Sequence, residues 1–201
     1  MNKKIVFISD FFVDQVTGGA EIYDDILIKE LSERKIKVAK FNSHEFTTKH
    51  LNLYIKTGFN FIISNFTNLP DNVKKSFEVY GSRYVIIEHD HKYLVGRDPS
   101  NYVNFKAPQG RIINRSFYAS AKNVFCQSIK HAEVLSDNLK IDNVINLECS
   151  LWSKEQIEIL RSLTDQEKND KCFVLGDANP IKGSKEAKKY CDDKQFKNCT
   201  S

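Results

Sequence analysis

The densest chemistry in this chain lies in Glu88-His89-Asp90-His91, where two imidazoles alternate with two carboxylates. Histidine titrates near neutral pH, so His89 suits the role of acid, base or hydrogen-bond donor toward a substrate. The plainer reading is a loop histidine bonded to backbone. The spacing argues against a metal site: His89 and His91 point to opposite faces if extended, and no third His or Cys lies close in sequence. The second chemical feature is Thr17-Gly18-Gly19-Ala20-Glu21. Glycines at a helix start let a ligand approach the backbone, whose free N–H groups attract phosphate; they also serve where the chain needs unusual dihedrals. Neither Gly-x-Gly-x-x-Gly nor Gly-x-x-x-x-Gly-Lys-Ser/Thr occurs, which removes the common dinucleotide and triphosphate loops.

Alternating strands and helices must position these groups. Residues 4–8 are a short apolar run, and from Glu21 the period changes, with Ile22 and Ile26, then Tyr23, Leu27 and Leu31, at helical spacing. Further strands are expected at 36–41, 60–64, 84–87, 123–126 and 143–147. Helices are expected at 46–56, from Pro70-Asp71 to Gly81, at 112–121, at 129–139 behind a capping Ser128, and at 154–160. Residues 101–110 read as a mobile loop. Apolar strands without strict alternation imply a parallel sheet buried on both faces, a Rossmann-like open α/β fold. Ligands of such sheets sit beyond the carboxyl ends of the strands. The polar residues Ser9-Asp10, Ser64-Asn65, Glu88-His89-Asp90-His91, Gln127-Ser128 and Glu148 gather at those ends, and His89 and Gly19 are expected to share one crevice.

Composition narrows the class. With 201 residues, 41% hydrophobic and 14 Phe, the chain can bury a sizeable core. A net charge of +4 with dispersed lysines does not suggest a nucleic-acid partner. The five cysteines are odd in number and lack a Cys-x-x-Cys, as in a reduced, cytoplasmic setting. No apolar run approaches the roughly 20 residues of a transmembrane helix. A polar stretch at 164–170 reads as a linker between a domain at 1–163 and a second piece at 171–201. Trp152, directly after the sixth strand, reads as a core or interface anchor rather than a sugar-stacking platform.

Four segments, in order, resemble the GT-B, family-4-like glycosyltransferases, and the resemblance covers nearly the whole chain. They are Thr17-Gly18-Gly19-Ala20-Glu21 with the helix running into Arg34-Lys35-Ile36-Lys37-Val38, then Val85-Ile86-Ile87-Glu88-His89-Asp90, then Ala121-Lys122-Asn123-Val124-Phe125-Cys126-Gln127-Ser128, and last Phe173-Val174-Leu175-Gly176 followed by Lys182-Gly183. The resemblance implies sugar transfer from a nucleotide-sugar co-substrate, with no cofactor and no metal. It places His89 at the reaction centre with Asp90 beside it, Gly18, Gly19, Glu21 and Ser128 at the ligand, and Lys182 with Gly183 at the leaving diphosphate. Two departures stand out. Asp177 occupies the position where the family carries Arg, and a carboxylate there repels a diphosphate. The Glu-x7-Glu signature of the donor domain is missing. The expectation is therefore an acceptor-side domain with the start of a donor domain, inactive in transfer as it stands, completed by a missing C-terminal domain or a second copy. The alternatives are a catalytically silent α/β module that binds a sugar, a nucleotide or a partner domain, and a plain nucleotide-binding domain.

Overall fold

The computed structural model describes residues 3–167, 171–174, 183–194 and 197–200. It divides into two compact units, Met1–Ser153 and Lys154–Ser201. The first holds strands β1 (Lys4–Ser9), β2 (Lys37–Asn42), β3 (Asn60–Ile63), β4 (Tyr84–Glu88), β5 (Asn123–Cys126) and β6 (Val144–Asn146). Its helices are α1 (Gly19–Glu33), α2 (Thr48–Lys56), α3 (Asp71–Glu78), α4 (Arg115–Ser120) and α5 (Ile129–Leu139). The second unit holds α6 (Lys154–Thr164), α7 (Ser184–Asp193) and a parallel pair, β7 (Lys171–Val174) with β8 (Lys197–Thr200).

The six strands form one parallel sheet in the order β2-β1-β3-β4-β5-β6, a Rossmann-like open α/β arrangement. The chain leaves β1 toward one edge and thereafter builds toward the other. Because parallel crossovers are right-handed, reversing the direction of growth moves the helices to the opposite face. Accordingly α1 packs Tyr23, Leu27 and Ile28 with Phe7 and Ile87 on one face. On the other face α2, α3, α4 and α5 contribute Leu51, Val73, Phe77, Phe117, Tyr118 and Leu135 against Val6, Ile8, Phe61 and Ile86. The sheet's topological switch point is therefore between β1 and β3, where the two sets of helices diverge.

Local sequence explains the helix ends. Ser128 caps α5, its Oγ accepting from His131 N at 3.2 Å. Thr47 and His50 form a reciprocal capping box on α2, which starts at Thr48 rather than 46 because residues 43–45 make a separate tight turn. The helix expected at 112–121 shortens to α4: Ile112 is held in an antiparallel bridge to Leu94, and Asn114 takes a left-handed φ of 56°. The 101–110 segment is anchored rather than mobile. Buried Asn138 of α5 donates to Phe105 O and accepts from Ala107 N, both at 2.8 Å. No helix among the described residues is long and apolar enough to cross a membrane.

The larger core layer centres on Phe77, whose ring lies 5.1 Å from Phe61, 5.2 Å from Tyr84 and 6.0 Å from Phe46. Phe77→Ala should lower unfolding stability by about 3–5 kcal/mol, since these rings cannot collapse into the space left. Val79→Ala, at a residue 78% exposed, should change it by no more than about 0.5 kcal/mol. Urea unfolding of both variants checks the pair.

Candidate functional site

The carboxyl ends of β1, β3, β4 and β5 are followed or closed by Ser9, Ser64, His89 and Gln127. Three of them converge on one acid. Asp24 of α1 is fully buried; Ser9 Oγ donates to its Oδ2 at 3.0 Å and Ser64 Oγ to its Oδ1 at 2.8 Å. His89 Nε2 lies 3.1 Å from Ser64 Oγ and 3.8 Å from Asp24 Oδ1. A carboxylate only accepts, so the single hydroxyl proton of Ser64 goes to Asp24, and Ser64 Oγ must accept from His89. Nε2 is then the protonated ring nitrogen. Nδ1 is left to accept from Gln127 Nε2, at a long 3.4 Å. The Tyr23 ring meets His89 edge-on, with centroids 5.3 Å apart, and fixes the plane of the imidazole.

Beside this row, at the β1/β3 switch point, opens a cleft of about 330 Å³. Asp10 and Phe11 after β1, Asn65 and Thr67 after β3, and His89 and Asp90 after β4 line it. Gly19, Ala20 and Glu21, the first turn of α1, close one side, and Arg97 stands at the rim. Gly18 precedes α1 in ordinary extended geometry, φ −137°, so the glycine pair is not there to reach an unusual dihedral. A Cβ on Gly19 would meet nothing within 4 Å, so its lack of a side chain leaves space in the cleft. No side chain caps α1, and its first-turn N–H groups favour an anion or a hydroxyl oxygen there.

The carboxylates around the cleft are tied to partners. Asp10 accepts from Thr67 N at 2.9 Å, from Asn68 N at 3.0 Å and from Ser43 Oγ, holding the loop after β3 to the end of β1. Glu21 Oε1 accepts from Asn65 Nδ2 at 3.4 Å. Burial alone would raise the Asp90 carboxyl, but Lys92 and Arg97 outweigh it and hold it below the usual carboxylate range. Behind Asp90, Glu88 is fully buried, accepting from the backbone N of Asp90 at 2.9 Å, from that of Lys92 at 3.3 Å, and from the Tyr118 hydroxyl. Burial, then the Glu88 charge, pushes the Tyr118 hydroxyl well above its ordinary value, so it remains a donor.

The structure thus brings Gly19, Glu21, His89 and Asp90 into one cleft. Gly18 is one residue removed as the N-cap of α1, and Ser128 is exposed and spent on capping α5. Gly183 caps α7 of the second unit, while Lys182 and Asp177 lie outside the described residues. Asp24, Lys92 and Arg97 escaped the sequence reading. The signal for Asp24 was present: it occupies an apolar stripe with Leu27, Ile28 and Leu31, where an acid is out of place. Among the described residues no group of three or more His, Cys, Asp or Glu is placed to hold a metal ion. Compared with known proteins, the chain matches no protein-family model and no curated protein sequence.

Two measurements follow from this geometry. Long-range 1H–15N correlation spectra at neutral pH should show His89 protonated at Nε2; protonation at Nδ1 instead would mean that Ser64 does not donate to Asp24. His131 lies 4.5 Å ring to ring from His91, and its buried Nε2 has no hydrogen-bond partner. Burial, then the neighbouring His91, lowers its pKa from 6.5 to about 4. The unfolded chain therefore takes up the proton first, and stability should fall as pH drops from 6.5 toward about 4. The contribution of His131 to the slope should reach at most about 1.4 kcal/mol per pH unit. His131→Phe, which removes the titrating ring, should flatten that part of the denaturation profile.

Proposed function

We propose that this protein is the acceptor-side half of a GT-B-type glycosyltransferase, acting with a nucleotide-sugar co-substrate. The observation that carries the reading is the meeting of Gly19 and His89 in one cleft at the β1/β3 switch point. Glycosyl transfer builds negative charge on the departing phosphate, and the open N–H groups at the start of α1 stabilise such charge without a metal. Glu21 and Asp90, both carboxylates, accept hydrogen bonds from sugar hydroxyls. Nδ1 of His89 makes the weaker of the ring's two contacts, 3.4 Å to Gln127, and is the nitrogen for which a ligand hydroxyl would compete. Nε2 stays turned to Ser64 and the Asp24 carboxylate, which fixes the ring's orientation toward the cleft. The engagement of both ring nitrogens also favours a second reading, a module that binds the sugar and does no chemistry.

UDP-glucose and GDP-mannose serve as representative nucleotide sugars for the test. Each should shift the amide resonances of Gly19, Ala20 and Glu21 and the His89 ring, saturably but with a Kd no better than about millimolar, about −4 kcal/mol. Gly19→Leu, which fills the space in the cleft, should weaken this by about tenfold or more while the melting temperature stays near that of the parent. Shifts confined to other surfaces, or binding indifferent to Gly19→Leu, would overturn the reading.

A further inference from the structure

A second and larger cavity, of about 650 Å³, lies between α3, α4 and residues 92–97, and shares Thr67 and Arg97 with the cleft. This volume suits a small organic ligand. Phe66 and Phe117 are buried beneath it, while Val95 and Ile113 stay 43% and 42% exposed at its wall. Large apolar side chains held half-open in a concave site are the usual lining for the apolar part of a ligand.

The charges around it are not symmetric. The Lys74 side chain is only 12% exposed and pairs at 2.9 Å with Asp71, which is 86% exposed; both line the cavity, the acid on its more solvated side. Lys74 Nζ also reaches Asn114 Oδ1 at 3.3 Å. Lys92 is spent on Asp90 and Glu88. Glu78, the other acid of the lining, accepts from Ser116 Oγ at 2.8 Å. Lys75 has no ion pair among the described residues, and Arg97 commits one nitrogen to Asp90 Oδ2 at 3.0 Å, leaving the rest of its donor fork open. Unspent donors thus outnumber unspent acceptors.

The backbone holds Arg97 in place at some expense. Gly96 and Arg97 take successive left-handed φ values of 85° and 55°, a conformation that disfavours a residue with a side chain by roughly 1 kcal/mol. Three hydrogen bonds pin the turn: Arg97 N to Leu94 O at 3.0 Å, Val95 N to Arg111 O at 3.0 Å, and Ile113 N to Tyr93 O at 2.7 Å. A strained residue fixed this firmly at the junction of two cavities is consistent with a binding role.

We propose that this cavity binds a small organic anion, a phosphate or carboxylate on a partly apolar body. The acid group sits among Arg97, Lys74 and Lys75, and the body lies against Val95 and Ile113. Phenyl phosphate and benzoate are the probes, with benzyl alcohol as the neutral control, followed through methyl resonances of Leu94, Val95 and Ile113 and the Gly96 amide. Whichever acid group the site takes should shift these resonances saturably, and benzyl alcohol should bind at least about tenfold more weakly. The Arg97→Gln, Lys75→Gln double variant should weaken the anion by about tenfold or more. Lys75→Glu, on an exposed position of α3, should weaken it in the same direction should the double variant not fold. Failure of both anions to shift these residues, equal binding of benzyl alcohol, or indifference to the charge substitutions would overturn the proposal. None of these readouts uses sugar transfer or nucleotide sugars, so the result stands apart from that of the cleft.

Discussion

The burial of one carboxylate, Asp24, governs how the first unit is assembled. A buried charge is costly unless hydrogen bonds replace its water, and two hydroxyls from two different strands do so. Ser9 and Ser64 reach it only if α1 lies over the β1–β3 boundary with one face inward. That placement brings Gly19, five residues earlier on the same helix, to the mouth of the cleft. His89 completes the arrangement from β4 through Ser64, so the imidazole is oriented by the same acid that sets the helix.

A similar economy organises the long connection from β4 to α4. Glu88, buried at the end of β4, accepts from the backbone just beyond it and from the Tyr118 hydroxyl of α4. Lys92 and Arg97 then share Asp90, which ties the connection to the cleft wall. Asn138 performs the corresponding task for residues 105–107. A stretch with little regular structure is thereby held by buried polar groups rather than by its own apolar residues. Such networks rigidify a structure when every member is satisfied.

The two sheet faces carry different loads. The aromatic layer around Phe77 joins helices α2 to α5 to the sheet, and within the first unit α1 is the one helix on the opposite face. The cleft at the open corner between these layers draws its walls from loops and a helix start rather than from either apolar core.

The sequence by itself determined the parallel α/β architecture, because short apolar runs and helical stripes depend on nearest neighbours along the chain. It also put His89, Gly19, Glu21 and Asp90 at one edge of the sheet, where they line one cleft, since strand ends and a glycine pair before a helix are local marks that parallel-sheet topology maps to one edge. Other features depended on residues distant in sequence. The partners of Asp24, Ser9 and Ser64, arrive from 15 and 40 positions away. The loop at 101–110 acquired its fixed shape from Asn138, 31 residues beyond Ala107. Arg97 carried no motif; its place between two cavities came from a bridge joining Leu94 to Ile112. Hydrogen-bond satisfaction of buried groups is a property of the packed chain, and no local pattern encodes which partners will arrive.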